Sequence, residues 1–209
     1  MRTFSPAFAA ELDELLRWRR DVRRFRTDPV PDAVLEACLT AVERAPSVGL
    51  SAPWRFVRVS SEQALEAARA NFEAANADAL AGYSGEQAAR YATLKLAGMR
   101  EAPVQFAVFC DDETPKGAGL GARTMPEARA YSVVGAITYL WLAARARGLG
   151  LGWVSILDPE RLARDLAVPA HWRLVGYLCL GWPEAESETP ELVTAGWESP
   201  AGPPEVLVR

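Results

Sequence analysis

Apolar residues recur at helical spacing near the start of the chain. Phe8, Leu12, Leu15, Leu16 and Trp18 share one stripe, which predicts a helix over residues 7–20. Asp28-Pro29-Val30-Pro31 breaks the pattern. Val34, Leu35, Cys38, Leu39 and Val42 then predict a second helix over residues 31–44. Ala45-Pro46-Ser47-Val48-Gly49 predicts a loop, and alternation over residues 54–60 a strand. Ala-rich residues 62–81, with spaced Glu and Arg, predict a solvent-touched helix, and residues 85–100 another. Residues 104–110 form an apolar run of strand length, followed by a glycine-bearing loop to residue 125.

Residues 127–147 predict a long helix closed by Gly148. Further strands are expected over residues 151–157 and 174–180, with a short helix over residues 159–166 between them. Two leading helices followed by interleaved strands and helices predict a helix-rich α+β domain, a three-layer αβα sandwich with a mixed sheet. The domain is expected over residues 1–182. Pro183, Pro190, Pro200, Pro203 and Pro204 mark residues 183–209 as a C-terminal arm.

Half of the 209 residues are hydrophobic, enough for a sizeable core, and the net charge of −4 disfavours nucleic acid and anionic membrane surfaces as partners. The uncharged run from Tyr131 to Ala144 is shorter than the roughly 20 residues needed to span a bilayer, so it is expected deep in the domain or in a subunit interface. No signal-peptide pattern opens the chain. Cys38, Cys110 and Cys179 each lie in apolar runs and read as buried free thiols, consistent with a reducing cytoplasm. One histidine, His171, and scattered cysteines give no metal-ligand set.

Two glycine runs resemble nucleotide-binding turns. Gly148-Leu149-Gly150-Leu151-Gly152 lies between helix and strand, the reverse of the dinucleotide fingerprint. Gly117-Ala118-Gly119-Leu120-Gly121 follows a strand only after a polar loop. Neither supports a dinucleotide site.

Three segments carry candidate chemistry. Residues 17–26 of this acidic protein hold six arginines around Asp21. Clustered guanidinium groups suit a phosphate, and charge alone equally allows a solvated helix end. The loop from Ala45 to Trp54 can offer backbone donors and hydroxyls to a flat polar ring. Gly150-Leu151-Gly152-Trp153-Val154-Ser155-Ile156 combines small residues, an aromatic and a hydroxyl.

Taken in order, these segments resemble the nitroreductase-like FMN-dependent superfamily, and within it the BluB family of 5,6-dimethylbenzimidazole synthases. The likeness rests on Arg19-Arg20-Asp21-Val22-Arg23-Arg24-Phe25, Ala45-Pro46-Ser47-Val48-Gly49 with Pro53-Trp54, and Leu94-Lys95-Leu96 before Glu101-Ala102-Pro103. Tyr131-Ser132, Leu140-Trp141-Leu142, Gly152-Trp153-Val154-Ser155-Ile156, Tyr177-Leu178-Cys179-Leu180-Gly181 and Pro190-Glu191-Leu192 continue it over residues 10–198.

The resemblance implies a cytoplasmic homodimer with FMN at the subunit interface. Arg19, Arg20, Asp21, Val22, Arg23, Ser47, Leu96 and Ser155 would bind it, and no metal is implied. Asp21 and Ser155 would be the catalytic residues. Reduced FMN would be fragmented with O2 to 5,6-dimethylbenzimidazole, the lower ligand of vitamin B12, and erythrose 4-phosphate. NAD(P)H or a separate flavin reductase would supply the electrons indirectly. The helix over residues 62–81 would contribute to a lid.

Four departures from the family pattern are visible. Ala52 stands where Gln is usual and Ala97 where Glu is usual; the region around Val42 lacks a usual His, and no Arg follows Gly196-Trp197-Glu198-Ser199. An NAD(P)H-dependent FMN reductase or nitroreductase, and a non-catalytic flavin-binding protein, therefore stay open as alternatives.

Overall fold

Side chains along the strand over Val104–Asp111 alternate between two cores. Val104, Phe106, Val108 and Cys110 enter one, while Ala107 and Phe109 enter the other. A strand apolar on both faces must be covered on both, and this constraint sets the layers. The computed structural model describes residues 2–209. Its elements in order are α1 (Pro6–Trp18), α2 (Asp32–Val42), β1 (Trp54–Arg58), α3 (Glu62–Ala81), α4 (Gly85–Thr93), β2 (Val104–Asp111), α5 (Ala128–Arg145), β3 (Gly150–Val154), α6 (Pro159–Asp165), β4 (Trp172–Gly181) and α7 (Glu191–Thr194).

Leu35, Cys38 and Val42 of α2 join Val133, Ala136, Ile137, Leu140 and Ala144 of α5 against one sheet face. Ala68 of α3 and Leu162 of α6 cover the opposite face with Phe25, Tyr177 and Cys179. The three-layer α+β reading therefore holds. Strand direction differs from expectation: the sheet runs β1-β2-β4-β3 and every neighbouring pair is antiparallel. β2 and β3, joined through α5, do run parallel to each other, as helix interleaving suggests. β4 inserts between them and pairs antiparallel to both. The parallel contribution is a single bridge, Asp21 to Leu151.

Several element ends moved for identifiable reasons. α1 starts under a Ser5 cap, whose hydroxyl accepts from Phe8 N at 3.2 Å. It ends at Trp18, so the arginine segment is extended and not the last turn of a helix. The helix expected to run to residue 100 stops at Thr93, and Leu94 turns to ψ 132°. A Cβ at Gly98 would lie 2.4 Å from the buried Phe25 ring, so residues 94–98 must pass close to that ring. β3 ends at Val154, which leaves Ser155 just beyond the strand. Gly148 caps α5 at φ +77°, a conformation that favours glycine.

α5 is buried along one face only. Tyr131, Val134 and Tyr139 are exposed on it, as are Phe8, Leu12 and Leu16 of α1. Among the described residues, no helix is long and apolar enough to cross a membrane. All three cysteines are free and buried, and burial helped by an Asp112 hydrogen bond pushes the Cys110 thiol up to about 12. Beyond Trp182 the chain stays tied to the domain. Phe25 bridges Pro183, Glu184 N donates to Arg24 O at 3.1 Å, and Trp197 packs edge-on to Tyr83.

Two close contacts generate predictions. Tyr177 Oη donates to Gln105 Oε1 at 2.7 Å inside the core, while Gln105 Nε2 donates to the carbonyls of Met99 and Ala102. Tyr177→Phe leaves that amide oxygen without its partner and is expected to cost about 1–3 kcal/mol in urea unfolding; an unchanged midpoint would contradict this. A Cβ at Gly152 would lie 2.1 Å from Val22 O. Gly152→Ala is expected to cost about 1–3 kcal/mol and to speed hydrogen exchange at the Trp153 amide.

Candidate functional site

The sheet has an open edge at β3, and the chain leaving α1 docks there. Val22 N donates to Leu151 O at 3.0 Å, extending the sheet by one short parallel contact. Gly150 and Gly152 make this approach possible, because a Cβ at either would collide with Val22. The Gly-x-Gly run thus accommodates a neighbouring backbone, not a phosphate.

Docking fixes Asp21. Its Oδ1 accepts from Trp153 N at 2.8 Å, and its Oδ2 accepts from Arg23 Nε at 2.9 Å. Both carboxylate oxygens are thus oriented, yet the side chain keeps about 30% exposure, so a ligand can reach it. Arg23 also donates from Nη1 to Lys95 O at 3.2 Å, which ties the Leu94–Ala97 stretch to the same cluster. Ser155 lies two residues past Trp153 and is exposed. Asp21, Val22, Arg23, the Leu96 stretch and the Ser155 turn are therefore gathered at one sheet edge.

The remaining arginines are held in two ways. Arg19 lies with Cζ 4.9 Å from the centre of the Trp141 ring and makes no ion pair among the described residues. Arg20 donates to its own neighbour's carbonyl, Arg19 O, and to Glu188 O. Partial burial, then the nearby Arg19 charge, lower its pKa. The segment after Trp182 carries Glu184, Glu186, Glu188 and Glu191 across this basic row. Arg145 meets Glu186 at 2.7 Å, Arg17 meets Glu188 at 3.5 Å, and Arg24 meets Glu191 at 3.5 Å. Between tail and row lies a cavity of about 320 Å³ walled by Trp18, Arg20, Asp21, Arg23, Trp141 and Leu149. A second cavity of about 210 Å³ lies under α3, where Leu96 and Lys95 face Arg69, Phe72 and Asn76.

Ser47 is placed elsewhere. Its hydroxyl accepts from Ala52 N at 3.0 Å, and the next residue, Val48, donates to Ser132 Oγ of α5 at 3.0 Å. Among the described residues, no hydrogen bond or cavity wall joins Ser47 to Asp21 within one chain. Sequence reasoning missed Trp141 and the tail glutamates. A lone tryptophan in an apolar helix gives no sign that it faces an arginine, whereas the alternating glutamates opposite an arginine row were a usable signal.

The sequence profile of the nitroreductase family matches residues 16–182. A 5,6-dimethylbenzimidazole synthase of Rhodospirillum rubrum is 54% identical over 202 residues, covering 95% of this chain and 96% of that protein. A 5,6-dimethylbenzimidazole synthase of Rhodobacter capsulatus is 50% identical, with 90% of each chain covered. A crystal structure of oxidized iodotyrosine deiodinase bound to FMN and 3-iodo-L-tyrosine superimposes with a TM-score of 0.71 at 24% identity, over 95% of this chain and 97% of that one; it establishes the shared fold. With that profile spanning most of the domain, and synthases of this identity aligned nearly end to end, the chain belongs to the nitroreductase family, in its 5,6-dimethylbenzimidazole synthase group.

Proposed function

We propose that this protein is a 5,6-dimethylbenzimidazole synthase that binds reduced FMN and fragments it with O2. The carrying observation is the Asp21 carboxylate, oriented through both oxygens and still open to a ligand beside an arginine row. Identity of 46–54% to three curated synthases favours this reading over the reductase alternative.

The residues present fit a flavin phosphate. Among the described residues Arg19 is a guanidinium without a carboxylate partner, and Arg20 stands next to it with burial and like charge both disfavouring its charged form. A phosphate dianion would relieve that repulsion and accept charge-assisted bonds from both. Arg23 would hold Asp21 in place. Asp21, a carboxylate beside a ribityl chain, can take protons from its hydroxyls as bonds break. The Ser155 hydroxyl, exposed at the end of β3, can donate or accept at the ring edge. Leu96 would pack against the flavin, with α3 above it acting as a lid. Bound reduced flavin supplies the reducing power and the oxygen reactivity; the protein supplies position and access.

A homodimer belongs to the same proposal. The exposed apolar residues of α1 and α5 suit burial against a second copy. In such a dimer the Ser47 loop of one protomer would face the arginine row of the other, which accounts for its separation from Asp21 within one chain. NAD(P)H or a separate flavin reductase would deliver electrons to free flavin.

The test is incubation of reduced FMN with the protein in air and analysis of the products. The wild type is expected to form 5,6-dimethylbenzimidazole, and Asp21→Asn to lose about 10²–10⁴-fold in rate while still binding FMN. Steady NAD(P)H consumption with a nitroaromatic and intact FMN would favour the reductase alternative. Flavin binding with neither activity would favour a non-catalytic role.

A further inference from the structure

We propose that Trp141 is a positioning residue for flavin-phosphate recognition: it holds Arg19 ready for the phosphate and fixes the peptide that carries Asp21. The inference rests on the reading above, that the arginine row receives the phosphate of FMN.

Trp141 reaches the row from α5 and acts on it through two parts of one indole. Its Nε1–H donates to the Arg20 carbonyl at 3.1 Å. Its ring face carries the Arg19 guanidinium, with Cζ 4.9 Å from the centroid. Arg19 is the first residue past α1, where the backbone has turned extended at ψ 122°, so helical hydrogen bonding no longer fixes Arg20 and Asp21. The Arg20 carbonyl belongs to the peptide that leads directly into Asp21. Rotation of that peptide would swing the carboxylate away from the Trp153 amide.

Trp153 completes the arrangement from the opposite side. Its ring lies 6.4 Å from that of Trp141 at 46°, and its amide holds Asp21. The Trp153 ring is seated over Gly176, where a Cβ would lie 2.1 Å from its Nε1. Three consecutive residues, Arg19, Arg20 and Asp21, are thus held by two tryptophans through ring face, indole N–H and backbone amide.

The choice of an aromatic partner for Arg19 has a chemical consequence. Arg17, Arg23, Arg24 and Arg145 are each neutralised by a carboxylate. A carboxylate on Arg19 would compete with an incoming phosphate. A ring face attracts the cation without supplying an anion, so Arg19 stays oriented and keeps its charge for the ligand.

The test is FMN and riboflavin binding, followed by quenching of flavin fluorescence, in wild type, Trp141→Phe, Trp141→Leu, Arg19→Ala and the double variant Arg19→Ala/Trp141→Leu. Riboflavin lacks the phosphate. Trp141→Leu is expected to weaken FMN binding roughly tenfold and riboflavin binding less than about twofold. Trp141→Phe, which keeps a ring and loses the N–H, should fall between wild type and Trp141→Leu. In the Arg19→Ala background, Trp141→Leu should add no more loss than Trp141→Phe does in that background, because only the indole N–H on the Arg20 carbonyl is then left to lose. Equal weakening of both ligands, full additivity of Trp141→Leu and Arg19→Ala, or full FMN affinity in Trp141→Leu would each overturn the proposal. If Trp141→Leu does not fold, Trp141→Met, which likewise lacks a ring, gives the same comparison alone and combined with Arg19→Ala. A wild type that binds no FMN would instead refute the underlying flavin reading.

Discussion

Everything at the candidate site depends on one docking event, the approach of residues 21–23 to the free edge of β3. The Val22 amide takes the Leu151 carbonyl, and the Asp21 carboxylate takes the Trp153 amide. These contacts convert an arginine-rich string into a fixed surface. Two glycines on β3 make the approach sterically possible, and no residue with a Cβ would permit it without displacement. An edge strand left open invites pairing with another chain, and this short segment covers part of it.

Charge is distributed around that anchor in a definite order. Asp21 and Arg23 hold each other at the centre. Further out, Arg17, Arg24 and Arg145 meet the glutamates of the tail. The Arg17 and Arg24 pairs are exposed, and such pairs contribute about 0–1 kcal/mol each. Their effect is to neutralise the flanks, while Arg19, on the Trp141 ring, and Arg20, held by backbone carbonyls, have no carboxylate partner among the described residues. A basic cluster in an acidic chain thus becomes selective, with two adjacent guanidinium groups left without a carboxylate and their neighbours paired.

Much of this was legible along the chain, and the exceptions share a cause. The apolar run of β2, the Gly148 cap and the α3 boundaries follow from local composition, spacing and turn chemistry, and they stand where the sequence puts them. The segment after Thr93 continues to look helical, but Gly98 and Lys95 answer to Phe25 and Arg23, more than seventy residues away in sequence. The Gly150 and Gly152 run looks like a ligand loop until Val22 is seen against it. Direction in the sheet was likewise hidden, because interleaved helices do not reveal that β4 inserts between β2 and β3.

The sequence by itself determined the α+β class, the arginine row around Asp21, the buried thiols and, through ordered motifs, the family. Each is a property of composition, local periodicity or motif order, and none needs a distant partner. Only the tertiary structure decided which arginines are left without a carboxylate, what orients the Asp21 carboxylate, and that Ser47 lies apart from it within one chain. Those outcomes depend on which side chain arrives from another element, as Trp141 does from α5 and Glu188 from the tail. Spacing along a chain encodes the faces of its own helices and strands; it does not encode what packs against them.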